Sequence, residues 1–207
     1  MPGAAADAGW GALSANDIGD ACRLARQALE AERDDAETIS QAAYTLFFLA
    51  GEAAMAAAAF DRALALNPNA AHAWLYRGSL HALRNQPEGA IEAIERARRL
   101  SPFDPYIFLY AVSIAIAHLV ARRFEQAIEW ADRALHEQPR LVSAMRVKVA
   151  ANAHLGRLDE AHAELSRMLA IDPKLTIAGF REYAHFFAAE VLELYVAGLR
   201  LAGLPEK

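Results

Sequence analysis

The sequence predicts an all-α protein, an α-solenoid of helix–turn–helix hairpins with a C-terminal helical extension. Three observations predict this class. Helix-ending prolines recur 34, 37 and 34 residues apart, at Pro68, Pro102, Pro139 and Pro173. Turn-forming positions recur seventeen residues before each proline, at Gly51, Asn85, Arg122 and Gly156. Small or apolar residues recur at fixed steps between turn and proline, which is the pattern expected when each hairpin closes the apolar face of its neighbour.

The small residues fix where the helices touch. Alanine stands twelve residues before each proline, at Ala56, Ala90, Ala127 and Ala161. Five residues before each proline stand Ala63, Ala97, Ala134 and Met168. Arg122 departs from the turn pattern, because a left-handed conformation there costs on the order of 1 kcal/mol for a residue with a Cβ.

The elements follow in order from this frame. Residues 1–16 are rich in Gly and Ala and predict a flexible tail. Residues 17–36 predict a half repeat, one helix capped by Ser14, Asn16 or Asp17. Four full repeats are expected at 37–70, 71–104, 105–139 and 140–173. Their helices are predicted at 37–50, 53–66, 71–84, 87–100, 105–121, 124–137, 140–155 and 158–171.

The first helix of the third repeat is apolar nearly all round. Between Ile107 and Ala121 only Ser113 and His118 are clearly polar. Asp104 is expected to cap this helix and Pro105 to open it. At about 25 Å it is too short for the roughly 30 Å of a bilayer core. The helix therefore needs cover on both sides, and the adjacent hairpins supply only one.

The frame stops after Pro173, and residues 174–207 predict C-terminal capping helices. A short helix is expected in LTIAGFREY and a longer one from about Phe186 to Ala202, closed by Gly203. The longer helix carries only a narrow charged stripe, Glu190, Glu193 and Arg200. A terminal cap normally has a polar outer face, so this apolar helix is expected to do more than cap.

A 34-residue hairpin of this kind resembles the tetratricopeptide repeat, whose arrays form right-handed solenoids. In the second copy, five signature positions match, at Trp74, Gly78, Ala90, Ala97 and Pro102. Arg77 and His81 depart from that signature. The chain also contains the stretches RLSPFDPY, RRFEQAIEWADRALHEQP, LGRLDEAHAEL, DPKLTIAGFRE and GLRLAGLPE. With these, from about Ala42 to Lys207, it is similar to the C-terminal repeat regions of bacterial nucleotide cyclases and of some winged-helix transcription regulators.

Nothing in the sequence indicates an enzyme, a metal site or a cofactor site. No nucleophile-elbow, zinc-protease or phosphate-loop motif is present, and no two histidines stand three or four apart. The net charge of −5 argues against nucleic acid or an anionic membrane as the main partner. The one cysteine, Cys22, fits a reducing compartment, and the N-terminus carries no secretory signal, so a cytoplasmic location is expected.

The resemblance implies that the first helix of each repeat lines a concave groove. The residues expected to bind a partner there are Gln41, Thr45, Phe48, His72, Leu75, Tyr76, Ser79, Leu109, Val112, Ile116, Leu119 and Arg146. Those of the third repeat form an apolar stripe, whereas Gln41, Thr45, His72 and Arg146 are expected to set specificity.

The sequence leaves three alternatives for the occupant of this groove. They are the chain's own C-terminal helix folded back into it, a second copy of the chain in a dimer, or an amphipathic helix or peptide of another protein. The sequence thus predicts a non-enzymatic protein-interaction module, in signalling or scaffolding. The alternative is a regulatory region of a cyclase or transcription regulator, and a weaker one is a small apolar ligand near His118.

Overall fold

The computed structural model describes residues 14–31 and 34–207, and within them every regular element is an α-helix. Residues 1–13 of the expected tail, with Trp10, lie outside the described residues. The helices are α1 Ala15–Glu30, α2 Ala36–Ala50, α3 Ala53–Leu66, α4 Ala71–Leu83, α5 Pro87–Leu100, α6 Ile107–Val120, α7 Phe124–Glu137, α8 Val142–His154, α9 Leu158–Ile171, α10 Ile177–Tyr183 and α11 Ala189–Leu201.

Helices α2 to α9 form four antiparallel hairpins, α2/α3, α4/α5, α6/α7 and α8/α9, and α1 packs on α2 as a half repeat does. The small residues lie at the contacts as predicted: Ala56, Ala90, Ala127 and Ala161 are fully buried. At Gly78 an added Cβ would lie 2.5 Å from Cγ1 of Ile94, so only glycine allows α4 and α5 to approach this closely.

The four hairpin turns share a residue with left-handed backbone. The backbone is left-handed at Gly51, Asn85, Arg122 and Gly156, with φ of 71°, 63°, 58° and 74°. In the first turn the Glu52 amide donates to the Leu46 carbonyl oxygen, at 3.2 Å. In the other three turns the amide after the left-handed residue donates to the carbonyl oxygen four residues before that residue, at 2.9 Å. This is the Schellman arrangement that closes a helix C-terminus.

The start of α6 differs from the prediction. The helix begins at Ile107, not Pro105, and Asp104 does not cap it. The Asp104 carboxylate instead accepts hydrogen bonds from the Tyr106 amide and the Tyr110 hydroxyl, both 2.8 Å long. Residues 101–106 therefore remain a loop, which exposes Phe103 almost completely.

The C-terminal extension does not add a further layer to the end of the solenoid. Helix α11 packs mainly on α8, the first helix of the last hairpin. Gly198 makes this possible, because a Cβ there would lie 2.7 Å from Cα of Ala150. Nε2 of His154 also donates to the Leu194 carbonyl oxygen, at 2.8 Å.

The predicted start of α11 at Phe186 is wrong, because residues 184–188 form an irregular segment between α10 and α11. We call this segment the strap. It reaches the first hairpins: the Ala188 amide donates to the Leu83 carbonyl oxygen at 2.8 Å, and Phe186 is buried in the apolar core of α2–α4. The backbone of α10 is in turn tied to the last residues by Ile177 N to Pro205 O (2.8 Å) and Ala178 N to Glu206 O (3.1 Å).

Candidate functional site

The concave side carries a partly open pocket of about 100 Å³. One wall belongs to the first helices of the four hairpins: Tyr44, Phe48, Leu75, Tyr76, Ser79, Leu83, Leu109, Val112, Ser113, Ile116, Ser143 and Arg146. The other wall belongs to the C-terminal extension: Tyr183, Phe186, Phe187 and Tyr195. The pocket is thus bounded by the repeats and by the chain's own C-terminal part together.

Eight of the twelve residues predicted for the groove line this pocket. They are Phe48, Leu75, Tyr76, Ser79, Leu109, Val112, Ile116 and Arg146. The repeat frame brings them together because residues on the inner face of successive first helices stack at the same height.

The other four predicted residues lie outside the pocket. Gln41 is exposed at its edge, and its Nε2 donates to the Tyr76 hydroxyl at 3.1 Å. The Thr45 hydroxyl donates to the Gln41 carbonyl oxygen within α2, at 2.9 Å. Leu119 is fully buried inside the solenoid, so its side chain has no accessible surface.

The remaining residue, His72, connects the first repeat to the loop that precedes α6. Its Nδ1 lies 3.3 Å from Oε1 of Glu37 and its Nε2 lies 3.2 Å from Oδ2 of Asp104. Burial would raise the pKa of Asp104, but hydrogen bonds from Tyr106 and Tyr110, together with His72, hold that pKa below its ordinary value. Burial likewise raises the pKa of Tyr110, and the adjacent Asp104 carboxylate adds to that rise.

The pocket wall is aromatic at its N-terminal end. The ring of Tyr44 lies 4.5 Å from that of Phe48 and 4.4 Å from that of Tyr76, centroid to centroid. Burial raises the pKa of Tyr76 despite the opposing hydrogen bond from Gln41. Across the pocket, the ring of Phe186 lies 5.0 Å from that of Phe48.

Polar groups are few in the wall. The hydroxyls of Ser79 and Ser113 lie 2.9 Å apart and join α4 to α6. Arg146, only 6% exposed, lies with its guanidinium carbon 4.8 Å from the Phe180 ring and 5.4 Å from the Tyr183 ring. The C-terminal extension thus covers the cation that the sequence had assigned to partner specificity.

Tyr44 and the C-terminal aromatic residues of the site are not among the residues predicted from the sequence. Tyr44 is not at one of the inward positions of the repeat, and it reaches the pocket only because its ring leans between Phe48 and Tyr76. Phe186 and Phe187 had been assigned to a helix. The sequence feature that could have indicated them is a pair of adjacent large aromatic residues in a segment outside the repeats.

His118 is not part of the pocket wall. Burial lowers the pKa of its imidazole, and the nearby Arg123 adds to that effect. Its Nδ1 is buried and has no hydrogen-bond partner among the residues that the structure describes.

Among residues 14–31 and 34–207, no group of three or more His, Cys, Asp and Glu side chains is arranged to hold a metal ion. In the same residues no helix has the length and apolar character needed to cross a bilayer, which includes the apolar helix α6.

The family model of the tetratricopeptide repeat matches the chain over residues 45–105 and 112–175. These two ranges together cover more than half of the chain. Among curated proteins, the human FK506-binding protein-like is 33% identical over 103 residues, 47% of this chain and 30% of its own length. The rat protein of that name is 32% identical over 103 residues. The chain therefore spans less than a third of the length of these relatives.

Three solved structures illustrate the likeness of fold. PilW, a type IV pilus biogenesis factor, has a TM-score of 0.67 at 19% identity, covering 89% of this chain and 86% of PilW. A MamA double mutant has a TM-score of 0.58 at 20% identity, covering 76% and 86%. YrrB, described as a TPR protein with an unusual peptide-binding site, has a TM-score of 0.53 at 21% identity, covering 86% and 91%. At these identities the likeness is one of fold.

Proposed function

The chain belongs to the tetratricopeptide repeat family, and on that basis we propose that it is a non-enzymatic protein-interaction module that binds an amphipathic helix or peptide of another protein in its concave groove. One observation carries this proposal. The inner faces of three successive hairpins form a continuous apolar and aromatic wall that still borders an open pocket. Peptide binding by a fold relative, as in the description of YrrB, is consistent with it.

Apolar contact supplies the affinity in this proposal. Leu109 and Ile116 are only partly buried, and full burial of such a side chain is worth roughly 1.5–3 kcal/mol. An exposed ion pair contributes about 0–1 kcal/mol. The exposed Gln41 at the edge of the pocket and the partly buried Thr45 then select among apolar partners by hydrogen bonding.

We further propose the domain division that goes with this function. Residues 17–173 form the repeat array, and residues 174–207 form an extension that borders the site. The proposed partner is protein, not nucleic acid or membrane, and the proposed location is the cytoplasm. The net charge of −5 supports the partner class.

The regulatory alternative is less well supported. The relatives reported above do not favour a region of a nucleotide cyclase or a winged-helix regulator over an interaction module. A self-associating module, the remaining alternative, is separated from partner binding in the experiment that follows.

A photocrosslinking amino acid at position 41 tests the proposal in cells that express the chain. We expect a crosslinked species that is heavier than a dimer of this 22.5 kDa chain, or one in which mass spectrometry identifies a second protein. Leu109→Asp combined with Ile116→Asp should abolish it at unchanged helix content. Leu66→Asp is the matched control, because Leu66 is an exposed leucine outside the pocket. Unchanged crosslinking in the double variant would contradict the proposal, and a crosslink only between copies would indicate dimerisation instead.

A further inference from the structure

The strap, residues 184–188, occupies the N-terminal end of the concave groove in the way a bound segment would. The Phe186 side chain is 2% exposed, and its ring lies 5.4 Å from that of Phe47 and 5.0 Å from that of Phe48. The Ala188 amide donates to the Leu83 carbonyl oxygen at the end of α4. A buried ring and a backbone hydrogen bond are contacts by which grooves hold peptides.

The second aromatic residue of the strap faces the other way along the groove. Phe187 is only partly buried, and its ring lies 5.7 Å from that of Tyr195 on α11 and 6.0 Å from that of Phe180 on α10. The two adjacent rings therefore contact different parts of the protein. Phe186 fills a slot made by the repeats, and Phe187 covers it from the C-terminal side.

The strap does not fill the groove completely. The pocket of about 100 Å³ lies between its rings and the wall that includes Tyr76, Val112 and Ile116. A segment with the same paired rings and a further apolar side chain for this space would bury more surface than the strap buries. Such a segment could replace the strap in spite of the strap's advantage of being part of the same chain.

From these contacts we propose that the strap is an internal competitor for the groove, and that the partner displaces it with two adjacent aromatic residues. This inference rests on the proposed function, since it names the partner chemistry of the same groove. The partner's first ring takes the Phe186 slot against Phe47 and Phe48, and its backbone amide takes the Leu83 carbonyl oxygen. Binding is then weakened by the fraction of molecules in which the strap is docked.

A fluorescein-labelled peptide with the sequence of residues 181–195 is the probe. Its binding to the full chain is measured by anisotropy, beside binding to the full chain carrying Phe186→Ala and Phe187→Ala. Because the intact strap competes at an effective concentration in the millimolar range, we expect at least tenfold tighter binding to the double variant. The same peptide with both phenylalanines replaced by alanine should lose this binding. His185→Ala in the chain is the control, because His185 lies in the strap but is exposed.

Hydrogen exchange on the unmodified chain gives a second reading that needs no variant. Saturating peptide should increase exchange at the Ala188 amide, which is released from Leu83, at least tenfold. Equal peptide affinity for the full chain and for the double variant would overturn the proposal. So would exchange at the Ala188 amide that the peptide leaves unchanged. A concentration-dependent dimer of the double variant that excludes the peptide would also overturn it, in favour of a second copy. The proposed function survives these outcomes if the crosslink at position 41 still depends on Leu109 and Ile116.

Discussion

At the scale of single residues, the turns show how a backbone requirement overrides residue type. Gly51 and Gly156 adopt left-handed backbone at little cost, and Asn85 tolerates it. Arg122 adopts it as well, because its turn must match the other three for the hairpins to stack. The sequence predicted the position from spacing alone.

Arg122→Gly should therefore stabilise the protein. Relief of the left-handed strain is worth up to about 1 kcal/mol, less the added freedom of glycine in the unfolded chain. Arg122 is exposed, so little packing is lost. The midpoint of urea unfolding should rise. Gly156→Ala is the converse control, because a Cβ there meets no atom within 4 Å and only the backbone strain of about 1 kcal/mol remains. A lower midpoint for Arg122→Gly would contradict this account.

The buried Asp104 carboxylate gives a prediction about pH. Its pKa is lower in the folded chain than in the unfolded chain, so its charged form stabilises the fold above the ordinary aspartate pKa. That stability is lost as the pH falls from the ordinary value through the folded-state pKa. Asp104→Asn should cost about 1–3 kcal/mol at pH 7, where His72 and Tyr110 lose a charged partner. The loss should shrink at pH 3, as measured by urea unfolding at both pH values. An equal loss at both would show that the charge is not responsible.

At the scale of elements, spacing predicted most helices closely and failed where two features compete. Helices α2 to α5, α7 and α9 begin and end within about one residue of the predicted positions. Helix α6 starts late because the Asp104 carboxylate binds Tyr106 and Tyr110 instead of capping. The sequence predicts α11 as a helix but not its docking on α8, which depends on contacts between residues about 50 positions apart in the sequence. No local pattern encodes such a contact.

Gly198 tests the docking of α11. Because an added Cβ would lie 2.7–2.9 Å from backbone and side-chain atoms of Ala150, Gly198→Ala should force α11 away from α8 and destabilise the fold by about 1–3 kcal/mol. Urea unfolding measures this loss. Gly19→Ala is the control, since its Cβ would meet no atom within 4 Å on α1. That change should stabilise the helix by up to about 1 kcal/mol, because alanine is the better helix former. Equal effects at the two glycines would argue against close packing of α11.

At the scale of the molecule, the strap changes how the repeats depend on each other. A solenoid has contacts only between neighbouring repeats, so its ends can unfold separately. Here Phe186 is part of the core of α2–α4, whereas Phe187 packs against both that core and the core of the last repeats. The site follows from this arrangement: the inward wall could be predicted from the repeat frame, whereas the wall supplied by the extension could not.

The strap should therefore make the two ends unfold together. Trp74 on α4 and Trp130 on α7 report on different repeats, with Trp10 replaced by Phe in both single-tryptophan forms. Their urea transitions should coincide in the parent chain. In Phe186→Ala, loss of a buried phenylalanine costs about 3–5 kcal/mol, and the Trp74 transition should shift lower by about 1–2 M while that of Trp130 shifts less.

Phe60→Ala separates coupling from simple loss of stability. Phe60 is fully buried in the same N-terminal core but does not belong to the strap, so its removal weakens that core and leaves the connection to the last repeats in place. Both tryptophan transitions should then move together, because the docked strap still transmits the loss from one end to the other. If the two transitions separate equally in Phe60→Ala and Phe186→Ala, the ends are coupled through the repeats themselves and not through the strap.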